Sequence, residues 1–224
     1  MKVAIAGAGA VGRSIARELL ANEHMVMLLE RNADHIDVDA IPKAQWVYAD
    51  ACELASLEEA QLQDFDVVVA ATGDDKANVV LSLLAKTEFG VRRVVARVND
   101  PRNEWLFNES WGVDVAVSTP RMLASLVEEA VSVGDLVQLM TLRQGQANLI
   151  EVTLPADTAL AGKPVRKVEL PRDAALVTIL RGGRVIVPQP DDPLEGGDEL
   201  LFVAAVEVED ELRAAIGLAP AEPS

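Results

Sequence analysis

Apolar runs and helical patterns alternate along residues 2–117. Six runs rich in valine, leucine and alanine predict β-strands, at residues 2–6, 25–29, 46–49, 66–71, 93–98 and 113–117. Between several of these runs, apolar residues recur at helical spacing and predict helices at residues 10–22, 53–61 and 74–86. Strands and helices that alternate in this way form a parallel sheet with helices on both faces, joined by right-handed crossovers. The first part of the chain is therefore predicted to be a doubly wound α/β domain.

The pattern changes after Thr119. Pro120 suits the first turn of a helix, and apolar residues at helical spacing predict a helix at residues 122–133, with Gly134 as its stop. Beyond it the chain is β-rich, and we predict strands at residues 149–154, 175–180, 184–187 and 199–203 and a closing helix at 207–216. The predicted domains are residues 1–134, including the crossover helix, a smaller α+β domain at 135–218, and a disordered tail at 219–224.

Composition and charge exclude several classes of partner. Acidic residues outnumber basic ones by 36 to 20, which argues against nucleic acid and against anionic lipid as partners. No apolar run approaches the roughly 20 residues that cross a bilayer, and no signal-peptide pattern opens the chain. We therefore expect a cytoplasmic protein without direct membrane insertion. The single cysteine, Cys52, excludes an internal disulfide and a multi-cysteine metal site. We interpret it as a small, partly buried filler, with a redox role as the alternative.

A glycine-rich turn follows the first predicted strand and opens the first predicted helix. Gly7, Gly9 and Gly12 have the spacing of the nucleotide-binding turn of Rossmann folds. The first glycine allows the tight turn, the second lets a phosphate approach the backbone, and the third lets helix and strand pack closely. The helix N-terminus, at Ala10 and Val11, presents free amides and the positive end of its dipole to the phosphate. The alternative is a structural turn without a ligand.

Polar residues at the ends of the next two strands extend this prediction. Glu30 ends the second strand, where its carboxylate can accept hydrogen bonds from both hydroxyls of a ribose. The same carboxylate would repel the 2′-phosphate of NADP, although the neighbouring Arg31 softens this argument. Asp50 and Ala51 follow the third strand, within reach of an adenine amino group. Ligands of open α/β sheets bind at the carboxyl edge, so these residues predict an adenosine nucleotide there.

The loops after the fourth and fifth strands leave two interpretations open. Thr72, Gly73 and Asp74 stand where a small residue and a hydroxyl can flank a nucleotide. Alternatively, Thr72 or Asp74 caps the helix that follows. Arg97, at the end of the fifth strand, either faces a phosphate or pairs with Asp100.

Groups for acid–base catalysis are sparse. A nicotinamide-dependent dehydrogenase needs a proton donor or acceptor beside the hydride centre. His24 and His35 instead flank the second strand, on the adenosine side, and Tyr48 has no lysine four residues on. No nucleophile elbow, zinc-protease motif or Walker lysine is present. We therefore expect that the protein is not an enzyme and that it has neither catalytic residues nor a metal site. The alternatives are a free-standing NAD-dependent oxidoreductase and a nucleotide-sensing scaffold for another cytosolic partner.

Taken together, the motifs resemble those of the RCK (regulator of potassium conductance) proteins, in particular the peripheral TrkA-type subunits of Trk and Ktr potassium uptake systems. In the N-terminal half, the likeness is carried by the glycine turn, Glu30, residues 50–51, residues 71–75 with Asn78, and residues 96–100. In the C-terminal half, residues 160–163, 179–182, 187–188 and 194–200 resemble the TrkA-C module. The likeness covers nearly the whole chain, and the order of the two modules is specific.

The resemblance implies a regulatory subunit that gates a membrane potassium transporter subunit from the inner face of the plasma membrane. It implies a homo-oligomer, either a dimer or a ring of dimers, with or without a similar second subunit. In this family the Rossmann site takes NAD(H) in some members and ADP or ATP in others. The predicted nucleotide-contacting residues are Gly7, Gly9, Ala10, Val11, Gly12, Glu30, Arg31, Asp50, Ala51, Thr72, Gly73, Asp74 and Arg97.

Two departures from the family pattern bear on the ligand. Ala10 and Val11 stand where some relatives place an arginine that reaches a terminal phosphate, although Arg13 follows. Arg121 stands where some relatives carry a glutamate that holds a divalent cation. Both departures favour NAD(H) or a metal-free nucleotide over ATP with a divalent cation. In some relatives the second module binds a cyclic dinucleotide or a cation. Here Arg181 and Arg184 are the candidates for such a role, with a solvated turn as the other interpretation.

Overall fold

The computed structural model describes residues 1–142 and 146–218, and the predicted tail at 219–224 lies outside these residues. Residue contacts divide the chain into two compact units, of which the first ends at Pro120 and the second begins at Arg121. The division falls just before the helix predicted at residues 122–133. The predicted start of a second domain at residue 135 stays a prediction.

The first unit is a six-stranded sheet whose strands all run parallel. Its strands are β1 (Lys2–Ala6), β2 (Met25–Glu30), β3 (Gln45–Tyr48), β4 (Val67–Ala70), β5 (Arg93–Val98) and β6 (Val115–Ser118). They are ordered β3-β2-β1-β4-β5-β6. The order reverses between β1 and β4, which pair through Val3 with Val67 and Ala6 with Ala70. A crevice opens at the carboxyl ends of two strands at such a reversal, and ligands of doubly wound folds bind there.

Helices cover both faces of this sheet. They are α1 (Ala10–Ala21), α2 (Leu54–Glu59) and α3 (Asp75–Thr87), with short 3₁₀ helices at Ala33–His35, Val38–Ala40, Leu62–Asp64, Pro101–Leu106 and Glu109–Trp111. On one face, Leu57 of α2 and Leu81 and Ala85 of α3 are buried in an apolar cluster with the strands. On the other face, Ile15 and Ala16 of α1 pack in a second cluster. Each fully buried leucine contributes about 2 kcal/mol to the stability of these clusters. The parallel sheet with helices packed on both faces confirms the predicted doubly wound α/β domain.

The second unit is built on a five-stranded antiparallel sheet, with α4 (Thr119–Val131) crossing the division between units. Its other elements are β7 (Val137–Leu142), β8 (Ala147–Thr153), β9 (Ala174–Arg181), β10 (Arg184–Ile186), β11 (Glu199–Ala205), a 3₁₀ helix at Val165–Lys167, another at Val206–Val208, and α5 (Glu209–Ala215). The strand order is β10-β9-β11-β8-β7. Phe202, Ile150 and Leu212 lie at the centre of its apolar core. The predicted smaller α+β domain is confirmed.

One strand of this sheet has no counterpart in the sequence prediction. β7 lies at the sheet edge and pairs with β8, and its register shifts between Gln138 and Met140. A bulge of this kind breaks the two-residue alternation by which a strand is found in a sequence.

In the described parts of the chain, none of the helices is both long and apolar enough to cross a bilayer.

Candidate functional site

Two of the three glycines in the predicted nucleotide turn are required by the protein's own backbone. Gly7 has φ +96°, in the left-handed region, and a Cβ there would lie 2.8 Å from the Cα of Thr72. A Cβ at Gly12 would overlap the carbonyl oxygen of Gly7. These contacts bring the start of α1 onto β1 and bring the turn against the loop after β4. Any side chain at Gly7 or Gly12 would force this packing apart.

Gly9 lies between them in a different environment. A Cβ built at Gly9 meets no atom within 4 Å outside its sequence neighbours. Its backbone is extended, with φ −71° and ψ −172°, a conformation open to any residue. Gly9 is the N-cap of α1, where no side-chain cap hydrogen bond is made and no acidic residue occupies the first turn. The space beside Gly9 is therefore open, and nothing else in the described chain requires a glycine at this position.

The Glu30 carboxylate is fixed beside this turn. Glu30 is buried, with 8% of its surface exposed. Its Oε2 accepts a hydrogen bond from the Ala8 amide at 2.8 Å, and its Oε1 accepts one from the Asn32 amide at 2.9 Å. The Nδ1 of His35 lies 4.0 Å from Oε1. Each carboxylate oxygen has a second lone pair, so the group can accept further hydrogen bonds while its position is held by the backbone.

Charged residues in the loops after β2, β3 and β4 influence the thiol of Cys52. Burial raises the pKa of its thiol, and the charge of Asp50 raises it further, while Arg31 opposes the shift and Asp74 adds to it. Arg31, Asp50 and Asp74 follow the carboxyl ends of the parallel strands β2, β3 and β4, so they lie at one edge of the sheet. Asp50 also accepts a hydrogen bond from the Cys52 amide at 2.8 Å. With a raised pKa, Cys52 stays a thiol near neutral pH. Cys52 is exposed, so the prediction that it is a partly buried filler is wrong.

In the loop after β4, Asp74 caps the following helix, which is one of its two predicted roles. Asp74 is the N-cap of α3, and its Oδ1 accepts a hydrogen bond from the Lys76 amide at 2.9 Å. The Thr72 hydroxyl lies 2.6 Å from Oδ1 of Asn78 and 3.0 Å from the carbonyl oxygen of Asp74, so its single proton is used within the loop. Gly73 leaves open space around it. For Asp74, ligand contact at its second oxygen stays a prediction.

Arg97 does not pair with Asp100. Instead Asp100 pairs with Arg102, whose Nη2 lies 2.6 Å from Oδ2. The Nε of Arg97 is buried and finds no hydrogen-bond partner among residues 1–142 and 146–218. A buried donor without an acceptor is unfavourable by about 1–3 kcal/mol, so the Nε of Arg97 lacks an acceptor that an anionic ligand could supply. Of the two interpretations of Arg97, the ion pair with Asp100 is therefore wrong.

A polar network behind the site was not assigned a role from the sequence. Asp75 is buried and accepts hydrogen bonds from the Asn99 amide at 2.6 Å, the Asp100 amide at 3.0 Å and the Asn103 side chain at 2.8 Å. Burial by itself would raise the pKa of Asp75, but these hydrogen bonds outweigh it and lower the pKa below the ordinary value. Asn78 lies one turn later on the same face of α3. The three-residue spacing of the two polar residues was the signal available in the sequence.

A separate cleft of about 660 Å³ opens at the opposite, amino edge of the first sheet. Its lining includes Lys2, His24, Lys43 and Asp64. None of the predicted nucleotide-contacting residues lines it. The cleft and the predicted site are therefore at opposite ends of the strands.

In the second unit, Arg181 is held by its own domain. Its Nε and Nη2 bond to the buried carboxylate of Asp198 at 2.6 and 2.8 Å, and its Nη1 bonds to Glu195 at 2.6 Å. A guanidinium engaged in this way is a structural link between β9 and the turn before β11, so the solvated-turn interpretation does not hold for it. Arg184, at the start of β10, is exposed.

Comparison with known proteins gives matches over almost the whole chain. The family model of the TrkA-N domain matches residues 3–119, and that of the TrkA-C domain matches residues 149–217. The chain is 74% identical over 212 residues to the Trk system potassium uptake protein TrkA of Mycobacterium tuberculosis (strain ATCC 25618 / H37Rv), covering 95% of this chain and 96% of that protein. It is 30% identical over 205 residues to a TrkA homolog of Methanothermobacter thermautotrophicus, covering 89% of this chain and 92% of that protein.

Among solved structures, the chain resembles the GsuK channel bound to NAD, with a TM-score of 0.67 and 19% identity. The match covers 99% of this chain and 40% of that channel chain. The TrkA-N domain of the inner membrane protein ybaL from Escherichia coli matches 58% of this chain and 96% of its own length, with a TM-score of 0.52 and 16% identity. At these identities the likeness is one of fold.

Proposed function

The chain belongs to the TrkA family of Trk potassium uptake systems, and from this premise we propose that it is the peripheral regulatory subunit of a potassium uptake transporter. We propose further that an adenosine nucleotide, bound at the carboxyl edge of the first sheet, controls its action. The proposed regulatory role rests on membership of the family. The proposed control by a nucleotide rests on the geometry of the site.

The observation that carries the nucleotide proposal is the open space at Gly9. Gly7 and Gly12 have backbone reasons to be glycine, whereas Gly9 has none within the described residues. A phosphate placed there would meet the amides at the N-terminus of α1 and the positive end of the helix dipole. Arg97 would supply the guanidinium whose Nε lacks an acceptor. The residues therefore fit a phosphorylated ligand.

The other end of the site fits a ribose and a base. Glu30, held by two backbone amides, would accept the ribose hydroxyls, and Asp50 with Ala51 would lie near the base. Arg31 would complete the rim at this end, whereas Thr72, Gly73 and Asp74 would flank the nucleotide on the side of its phosphates, near the backbone of Ala10 and Val11. The fixed carboxylate at Glu30 disfavours a 2′-phosphate. We propose NAD(H) or ADP/ATP as the ligand, with NADP disfavoured.

The proposed control is a shift between two arrangements of the assembled subunits. A nucleotide changes transport only if it binds these arrangements with different affinities. No hydride transfer is required of the bound ligand. The proposed partner is a membrane potassium transporter subunit, reached from the cytosolic side.

Calorimetric titration tests the ligand. We expect NAD, NADH, ADP or ATP to bind the full chain, NADP to bind at least about tenfold more weakly, and divalent cation to have little effect. Glu30→Ala should abolish binding, whereas Glu18→Ala, which removes an exposed carboxylate from α1, should leave it unchanged. Equal binding by wild type and Glu30→Ala would overturn the site assignment. Steady turnover of nicotinamide absorbance with alcohols or oxo acids would instead favour the oxidoreductase.

Potassium uptake tests the regulatory role. Deletion of the gene should lower uptake at limiting potassium, and a plasmid copy should restore it. The Glu30→Ala copy should restore protein level but not nucleotide-dependent uptake. In fractionated cells, the protein should sediment with membranes only when the transporter is present. Normal uptake in the deletion strain, with no transporter-dependent sedimentation, would contradict the proposal.

A further inference from the structure

The loops after β4 and β5 are joined through one buried amide. Asn78 on α3 is fully buried. Its Oδ1 accepts hydrogen bonds from the amide and hydroxyl of Thr72, at 3.0 and 2.6 Å. Its Nδ2 donates to the carbonyl oxygen of Thr72 at 3.2 Å and to that of Arg97 at 2.8 Å. One side chain thus fixes the backbone of two residues predicted to border the phosphates of the ligand.

Asp75 makes a second connection, one helical turn earlier. Its two oxygens accept hydrogen bonds from the amides of Asn99 and Asp100 and from the side chains of Asn99 and Asn103, at 2.6 to 3.0 Å. The Asn99 side chain also donates to the carbonyl oxygen of Thr72 at 3.0 Å. Asp75 and Asn78 lie on one face of α3 because residues three apart are neighbours on a helix.

The side-chain hydrogen bonds of Asp75, Asn78 and Asn99 connect the two loops beyond the end of the β4–β5 pairing. The pairing of β4 with β5 extends as far as Ala70 with Ala96. Beyond that pair, the hydrogen bonds between the two loops in the described chain run through Asp75, Asn78 and Asn99. Helix α3 therefore sets the separation of the loops through two buried side chains, Asp75 and Asn78.

We infer that Asn78 and Asp75 are positioning residues, which hold the loops of Thr72 and Arg97 at the separation that the phosphates of the nucleotide require. This rests on the proposed function. Glu30 and its ribose contact lie across the crevice, on β2, and share no hydrogen bond with this network. Loss of the network should therefore weaken the binding of phosphates and spare the binding of adenosine itself.

The test compares ligands with and without phosphates on matched variants of the full chain. Asn78→Ala removes the side-chain hydrogen bonds that connect the loop of Thr72 with that of Arg97. The control is Ser82→Ala, because Ser82 is equally buried on α3 but donates only to the carbonyl oxygen of Asn78 within the helix. Calorimetry gives the affinities for ADP and NAD, and ligand-observed NMR gives that for adenosine.

We expect Asn78→Ala to lose about tenfold or more in affinity for ADP or NAD, whichever the wild type binds, and to change adenosine affinity less than about twofold. Ser82→Ala should change none of them by more than about twofold. Asn103→Ala, which removes a single bond to Asp75 at a part-exposed position, should give a smaller loss of the same kind and serves if Asn78→Ala does not fold.

Equal ADP and NAD affinities for Asn78→Ala and Ser82→Ala would overturn the inference, as would a parallel loss of adenosine binding, which indicates general collapse of the site. A wild-type chain that binds none of the three ligands would instead overturn the proposed function. The ratio of ADP or NAD affinity to adenosine affinity is the quantity that a general loss of stability does not change.

Discussion

At the scale of single residues, Gly9 and Gly12 make opposite predictions. Aspartate is a favoured N-cap and the backbone of Gly9 is already extended, so Gly9→Asp should leave the free energy of unfolding unchanged or raise it by up to about 1 kcal/mol. The same carboxylate would fill the open space and repel a phosphate, so ADP or NAD binding should be lost. Gly12→Ala, in contrast, should destabilise the chain by about 2 kcal/mol or more, because its Cβ overlaps Gly7.

Urea unfolding and calorimetry on both variants check this pair. Ser14→Asp is the charge control, since it places the same carboxylate at an exposed position further along α1. Unchanged nucleotide binding by Gly9→Asp would show that no phosphate lies at the helix N-terminus.

Arg97 gives a second prediction at this scale. A guanidinium with an unpartnered buried Nε should gain a hydrogen bond only when an anionic ligand is present. Arg97→Ala should therefore lower ADP or NAD affinity by about tenfold or more, while costing the unliganded protein little stability. Arg93→Ala is the control, because Arg93 is exposed at the other end of β5. Thermal unfolding with and without ligand measures both effects, and equal ligand-induced shifts in the two variants would contradict the prediction.

The residue scale also shows what a sequence can and cannot reveal. The glycine spacing and Glu30 were predictable, because they lie in one turn and at one strand end and follow a general pattern of nucleotide folds. The pairing of Asp100 with Arg102 rather than Arg97 was not, since two arginines at similar sequence distance compete for one carboxylate. The contacts of Asp75 with Asn99 and Asn103 join residues 24 and 28 positions apart, so only the packed fold reveals them.

At the scale of elements, strand β8 carries a glutamate, Glu151, on the face of the sheet opposite the apolar core of the second unit. Ile150 and Val152 enter the apolar core of the second unit, and Glu151 between them points to the other face yet is only 5% exposed. Its Oε1 accepts a hydrogen bond from Thr153, and its Oε2 has no partner in the described residues. Burial raises the pKa of Glu151 to about 7, the Thr153 bond opposes this, and the charges of Glu129 on α4 and Glu199 on β11 raise it further.

The stability of the second unit should accordingly fall with rising pH. A carboxyl with a raised pKa is neutral in both folded and unfolded chains below its ordinary value of 4.5, and it must ionise while buried as the pH passes about 7. The loss is at most about 3.5 kcal/mol, since one pKa unit corresponds to about 1.4 kcal/mol. Glu151→Gln should remove this fall between pH 5 and 8, whereas exposed Glu207→Gln should keep it.

Chemical denaturation across that pH range is the measurement. The difference between wild type and Glu151→Gln isolates this carboxyl from groups such as Asp75, whose lowered pKa acts in the opposite direction and at lower pH. Parallel pH curves for the two proteins would show that Glu151 ionises as freely as a solvated glutamate.

The elements themselves were mostly predictable, and β7 shows why one was not. Buried parallel strands read as continuous apolar runs, so the strands of the first sheet were evident from the sequence. β7 is an edge strand with a bulge between Gln138 and Met140, and its alternation of more and less exposed positions breaks after Met140. For such a strand, the pairing partner rather than the local sequence decides the conformation.

At the scale of the whole molecule, α4 predicts self-association. Met122, Leu123, Leu126 and Val127 on one side of this helix are 41 to 63% exposed. Exposed apolar groups at helical spacing indicate a face that a partner covers, and a second copy of the chain is the partner that the proposed homo-oligomer supplies. Leu123→Asp with Leu126→Asp should give monomers in sedimentation equilibrium. Ala124→Asp, an exposed position off this face, should leave the oligomer intact.

The charge of the chain sharpens this prediction through its salt dependence. Each copy carries a formal net charge of −16, so two copies repel one another at low ionic strength. Salt at 0.15 M reduces the range of this repulsion to about 8 Å and leaves apolar contact between the helices intact. The dimer dissociation constant should therefore fall several-fold between 20 mM and 200 mM salt. A dissociation constant that rises with salt would indicate an interface held by opposite charges rather than by the apolar face of α4.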